Sequence, residues 1–145
     1  MSEENDDRRG TIKYPERYIQ SKLISYQGMV RIRNITPTDI DGLIDYNGNV
    51  FVYLEGKLIG KDLDYGQRLC FEHLVQSHEK AGNFSWVLVF EFNEPVTEII
   101  IAKNKFVREI YESKRLKWRP PEKKITLIEA IEEIENYCTK RGIQI

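Results

Sequence analysis

Four side chains could do chemistry together in this chain: Asp39, Asp41, Glu55 and Lys57, at the two ends of the run PTDIDGLIDYNGNVFVYLEGK (37–57). Asn47-Gly48 stands between two alternating apolar runs, among the strongest short-range hairpin signals. The carboxylates of the first arm can then meet the carboxylate and lysine of the second at the hairpin's open end. Register decides which do. A two-residue loop pairs Tyr46 with Asn49, sets Ile40 opposite Glu55 and turns Asp41 to the other face. A three-residue loop Asn47-Gly48-Asn49 pairs Tyr46 with Val50, sets Asp41 opposite Glu55 and sets Asp39 opposite Lys57. Burial favours the second register, because Ile40, Ile44, Val50, Val52 and Leu54 then share one apolar face. Asp41, Leu43, Phe51, Tyr53, Glu55 and Lys57 line the other. Opposed residues have Cβ atoms roughly 4.5–5.5 Å apart, where two carboxylates repel unless a cation lies between them. Oxygen-only ligands suit Mg²⁺ or Mn²⁺.

These residues resemble the signature of the PD-(D/E)XK nuclease superfamily, with Asp41, Glu55 and Lys57 at the motif positions and Gly56 as the variable residue. The run GNVFVYLEGK is especially similar to the archaeal-type Holliday-junction resolvases. Pro37 precedes Asp39 by two residues and Asp41 by four, so the choice between these aspartates as ligand stays open. The triplet E-x-K also occurs at Glu112-Ser113-Lys114 and Glu122-Lys123-Lys124, but only Glu55-Gly56-Lys57 closes an apolar strand behind a hairpin.

The resemblance implies a divalent-metal-dependent DNA endonuclease acting on duplex or branched DNA, a Holliday junction above all, in recombination or repair. Asp41, Glu55 and the Gly56 carbonyl would hold Mg²⁺ or Mn²⁺, and Lys57 would orient or deprotonate the attacking water. A homodimer would supply two active sites. The implied fold is α/β: a restriction-endonuclease-like mixed sheet flanked by helices, with an α-β-β-β-α-β core over residues 14–92 and a C-terminal strand and helix beyond. The rivals are a non-catalytic DNA-binding protein on the same fold and an interaction domain with no nucleic acid partner.

Several elements must position these groups. From Pro15 the pattern is helical, with Ile19, Leu23 and Tyr26 on one stripe, and Gln27-Gly28 ends the helix. Extending the stripe back reaches Glu16, which the resemblance places beside the metal as a further ligand. Its other reading is a first-turn glutamate complementing the helix dipole. Met29–Arg33 alternates as a strand. Asp64-x-x-Gln67 opens a second helix that runs to about Lys80, before Gly82. Gln67 either caps this helix only or, as the resemblance implies, sits near Lys57 and positions it. His73 and His78, five apart, make a poor metal pair and read as surface residues. Phe84–Phe92 is a nearly continuous apolar run, expected of a central strand covered on both faces, and Glu98–Ala102 reads as the next strand. Thr126-x-x-Glu129 is a capping box opening a last helix with Leu127, Ile131, Ile134 and Cys138 on one face, ended by Gly142.

Composition sets outer bounds. The 145 residues suit a short polar leader over 1–10, read as disordered, and one domain over 11–145. Net charge is −1, so a nucleic acid partner must meet a local basic patch. Residues 101–124 provide one, with nine Lys/Arg against three Glu. Lys103, Lys105, Arg108, Lys114, Arg115, Lys117 and Arg119, with Trp118 among them, suit a phosphate backbone and unstacked bases. Two isolated cysteines indicate a reducing compartment rather than a disulfide framework. Neither a membrane span nor a signal-peptide core is readable, and the expected location is the cytoplasm.

Overall fold

The computed structural model describes residue 16, residues 24–95 and residues 97–145. The chain divides into two compact units, Met1–Pro37 and Thr38–Ile145. The leader and most of the first helical stripe lie outside the described residues. Within the first unit, Glu16 is helical and exposed, whereas Ile24, Ser25 and Tyr26 are not helical, so the expected helix does not reach Tyr26. The strand expected over Met29–Arg33 is also not formed. A 3-10 turn occupies Ile32–Asn34 instead. Arg33 and Asn34 have φ of 57° and 61°, left-handed values that interrupt an extended strand.

The second unit is a five-stranded mixed sheet with one helix on each face. β1 (Gly42–Tyr46) and β2 (Val50–Leu58) form an antiparallel hairpin with Tyr46 opposite Val50 and Gly42 opposite Leu54. The three-residue loop is therefore the one formed. Asn47 and Gly48 take φ of 55° and 77°, as a type I′ turn requires. The Asp45 side chain accepts a hydrogen bond from Gly48 N at 2.7 Å, leaving Asn49 as the extra residue.

β2 runs parallel to β3 (Phe84–Phe92). A parallel pair needs a crossover, and α1 (Tyr65–Lys80) supplies it, opened by the Asp64–Gln67 capping box. β4 (Val107–Glu112) and the short β5 (Trp118–Arg119) continue antiparallel, giving the order β1-β2-β3-β4-β5. The strand expected over Glu98–Ala102 is absent; a 3-10 turn covers Ala102–Asn104, and the edge of β3 is taken by β4. A β-bulge hid β4 from the sequence pattern. Val89 pairs with Glu109 but Phe90 pairs with Val107, so Arg108 is an extra residue that breaks the alternation.

α1 packs Phe71 and Val75 against Tyr53, Val87, Val89 and Tyr111 on one face of the sheet. α2 (Leu127–Lys140) packs Ile131, Ile134 and Cys138 against Val50, Val52, Trp86 and Leu88 on the other. Each fully buried Val, Leu or Phe contributes about 1.5–3 kcal/mol, so these two clusters fix which face of β2 each helix covers. Both cysteines are free, Cys70 in α1 and Cys138 in α2. Among the described residues no helix is long and apolar enough to cross a membrane.

Candidate active site

Asp41 stands one residue before β1, and Glu55 and Lys57 lie on the face of β2 that α1 covers. The hairpin register carries Asp41 to Glu55. Asp41 N donates to Glu55 Oε1 at 3.4 Å, and Gly56 N donates to Asp41 Oδ2 at 2.8 Å. The Asp41 carboxylate is thus anchored on the backbone of the residue between Glu55 and Lys57. A strand residue's N–H and C=O point to the same side, so the Gly56 carbonyl faces the side from which Asp41 approaches.

Glu55 is only 3% exposed. Burial, and then the Asp41 charge, push its carboxyl up from 4.5 to about 7. Lys57 Nζ stands 3.9 Å from Glu55 Oε2, too far for a hydrogen bond, so it offsets the burial only in part. Gln67 Nε2 donates to Glu55 Oε2 at 3.0 Å, while Gln67 Oε1 accepts from Asp64 N in the helix cap. One amide serves both readings of Gln67, with its oxygen on the cap and its nitrogen on the site. Its partner there is Glu55 rather than Lys57. The difference follows from reach: the first turn of α1 opens over the carboxylate, and the lysine lies one step further along β2.

Two carboxylates, one of them buried and short of compensating charge, fit a hard divalent cation. Mg²⁺ typically takes one or two carboxylates and keeps several waters. Among the described residues no group of three or more His, Cys, Asp or Glu is placed to hold a metal ion, so the protein donors available here are the two carboxylates of Asp41 and Glu55 and the Gly56 carbonyl. Asp39 is exposed, and Asp41 rather than Asp39 makes the contacts with β2. Glu16 belongs to the first unit. His73 is exposed as expected, but His78 is half-buried. It stacks on Phe51 with ring centroids 4.2 Å apart and bonds the Tyr53 hydroxyl at 2.8 Å. Burial holds its imidazole below the usual range.

The basic segment is largely occupied by acids of the same chain. Arg115 and Arg119 both pair with Glu112, Lys114 with Glu79, and Lys105 with Glu94. Trp118 donates its indole N–H to Glu72 at 2.7 Å, and Arg68 lies over its ring. Lys103 and Lys117 are exposed and make no ion pair among the described residues.

A charged group at the carboxyl ends of β2 and β3 was not assembled from the sequence. Lys57 neighbours Glu91 across the parallel register, and Glu91 pairs with Arg108. Asp62 pairs with both Arg108 and Arg68, and Arg68 also pairs with Glu109. These residues are scattered from position 57 to position 109, and Arg68 of α1 together with Arg108 at the bulge joins them. Compared with known proteins, the chain matches no family model, no curated protein and no solved structure.

Proposed function

We propose that this chain is a divalent-metal-dependent deoxyribonuclease of the PD-(D/E)XK type that cleaves phosphodiester bonds in branched or duplex DNA. The observation that carries this reading is the apposition of Asp41 with a buried Glu55 whose carboxyl is pushed up to about 7, beside Lys57. A protein gains nothing in stability from placing two carboxylates there without a cation. On this reading β1, β2, α1 and β3 are the last four elements of a restriction-endonuclease-like core.

Asp41, Glu55 and the Gly56 carbonyl would hold Mg²⁺ or Mn²⁺. When bound, the ion supplies charge neutralisation at the scissile phosphate and acidifies water near neutral pH. Lys57 orients the attacking water and contacts the phosphate; one P–O ester bond breaks as the new one forms. Gln67 holds Glu55 in place through its amide N–H. A homodimer would set one site on each strand.

The test is cleavage of linear, flapped and four-way DNA with Mg²⁺, with Mn²⁺ and with EDTA. The expected result is metal-dependent cutting, strongest on the four-way substrate and abolished in Asp41→Asn and Glu55→Gln but retained in Asp39→Asn. Binding without cutting in every metal would instead favour the non-catalytic DNA-binding reading.

A further inference from the structure

We propose that Arg68 and Arg108 form a phosphate-binding subsite beside the Asp41–Glu55 centre, closed by the Asp62 carboxylate, which a DNA phosphate displaces. This rests on the reading of that centre as a nuclease site. Arg108 is the extra residue of the β-bulge between Val107 and Glu109. Bulges re-aim side chains, and here Arg108 and Glu109 both serve the α1 face, where regular alternation would send one of them to the other. Arg108 therefore reaches Glu91, the register neighbour of Lys57, and the Lys61 carbonyl. Arg68 is held from two sides. Its guanidinium makes a forked pair with Glu109 at 3.2 and 3.0 Å and lies 4.7 Å over the Trp118 ring.

Both guanidinium groups converge on a single oxygen. Asp62 Oδ1 is 2.7 Å from Arg68 Nη2 and 3.6 Å from Arg108 Nη2. The Asp62 side chain is 72% exposed, and Arg108 Nη2 is shielded from solvent without a hydrogen-bond partner. A buried donor left unmet is costly, and the single Asp62 oxygen, 3.6 Å away, does not satisfy Arg108 Nη2. A phosphate can, because one of its oxygens can take Arg108 Nη2 while another takes the Arg68 Nη2 that Asp62 would release. The surrounding cleft, lined by Gly60, Lys61, Asp62, Arg68, Arg108 and Glu109 among others, has a volume of about 420 Å³. Gly60, with φ of 87°, lies in a turn closed by Lys61 N donating to the Leu58 carbonyl, and Asp62 follows that turn, outside β2. The subsite continues the line from Glu55 through Lys57 and Glu91. A phosphate held there would belong to the same DNA strand as the scissile one or to its neighbour.

The experiment is a binding titration over salt, in EDTA, of fluorescently labelled duplex and four-way DNA. The proteins are wild type, Asp62→Asn, Arg108→Gln and the double variant. Asp62→Asn is expected to bind several-fold more tightly at every salt, since the competing carboxylate is gone. Arg108→Gln should bind more weakly, with a log–log salt slope shallower by about 0.9. In the double variant the gain from Asp62→Asn should shrink, because Asp62 competes only through the arginines. If Asp62 merely braces its turn, Asp62→Asn will lower the melting temperature and leave binding unchanged or weaker, and the subsite is overturned. Unchanged slopes in proteins that still cut DNA with Mg²⁺ would overturn the subsite and spare the nuclease. Intact effects without cutting would do the reverse, and no DNA binding by wild type would remove both.

Discussion

Glu55 is where charge and burial conflict most. Its folded-state carboxyl titrates near 7 against 4.5 unfolded, so the folded state holds a proton that the unfolded state has released. Stability without metal is therefore full below about pH 4.5 and is lost as pH rises toward 7, by about 3 kcal/mol from that gap. Glu55→Gln removes this loss but leaves one oxygen for the two donors at Asp41 N and Gln67 Nε2, costing about 1 kcal/mol. The variant should be less stable than wild type by about 1 kcal/mol at pH 4 and more stable by about 2 at pH 8, read by urea unfolding. Lys57→Ala should retain metal binding and lose turnover, which single-turnover kinetics with a parallel metal titration would separate. The acidic pair and Lys57 were legible because they stand at the open end of a hairpin whose apolar alternation favours one register of the two. The target of Gln67 was not, since cap and site geometry depend on how α1 docks.

At the scale of the element, the hairpin and α1 position the site, and α2 covers the other face. Gly56 shows how closely the sheet is fitted. A Cβ added there would stand 2.7 Å from Phe90 Cε2 and 2.8 Å from Cζ, and Phe90 is itself core. Gly56→Ala should cost about 1–3 kcal/mol through overpacking and impair cleavage by shifting the strand between Glu55 and Lys57. Thr126→Ala, removing the cap of α2, should cost about 1 kcal/mol and leave cleavage unchanged, since α2 packs on the opposite face. Thermal melts and cleavage rates of the two variants together would check both. The capped helices, the hairpin and the apolar β3 were readable because local signals and burial agree there. β4 escaped because its bulge breaks the period, and 29–33 misled because two left-handed residues carry no apolar signature.

Across the whole molecule, the surplus of basic residues in 101–124 does not translate into a bare cationic surface. Glu112, only 9% exposed, is compensated by Arg115 and Arg119. Removing those arginines would leave a buried unpaired charge, costing about 3–5 kcal/mol. Arg115→Ala with Arg119→Ala should therefore lower stability first. Lys103→Ala and Lys117→Ala should leave the fold intact and reduce the salt slope of DNA binding by about 0.9 for each phosphate no longer neutralised. Charge counting along a chain cannot see such pairing, because it shows neither that Glu112 is buried beneath two of these arginines nor that other acids arrive from α1, β3 and a loop, as Glu79, Glu91 and Glu94 do.

The proposed chemistry requires Asp41 and Glu55 to hold a divalent cation, and calorimetric titration of Mn²⁺ in buffers of different ionisation enthalpy measures that directly. A ligand that must lose its proton releases it on binding, and Glu55 titrates near 7. Wild type should release about half a proton per bound ion at pH 7 and almost none at pH 9, with binding lost in Asp41→Asn and Glu55→Gln. Millimolar Mn²⁺ that fails to bind wild type, or that binds Glu55→Gln equally well, would contradict it.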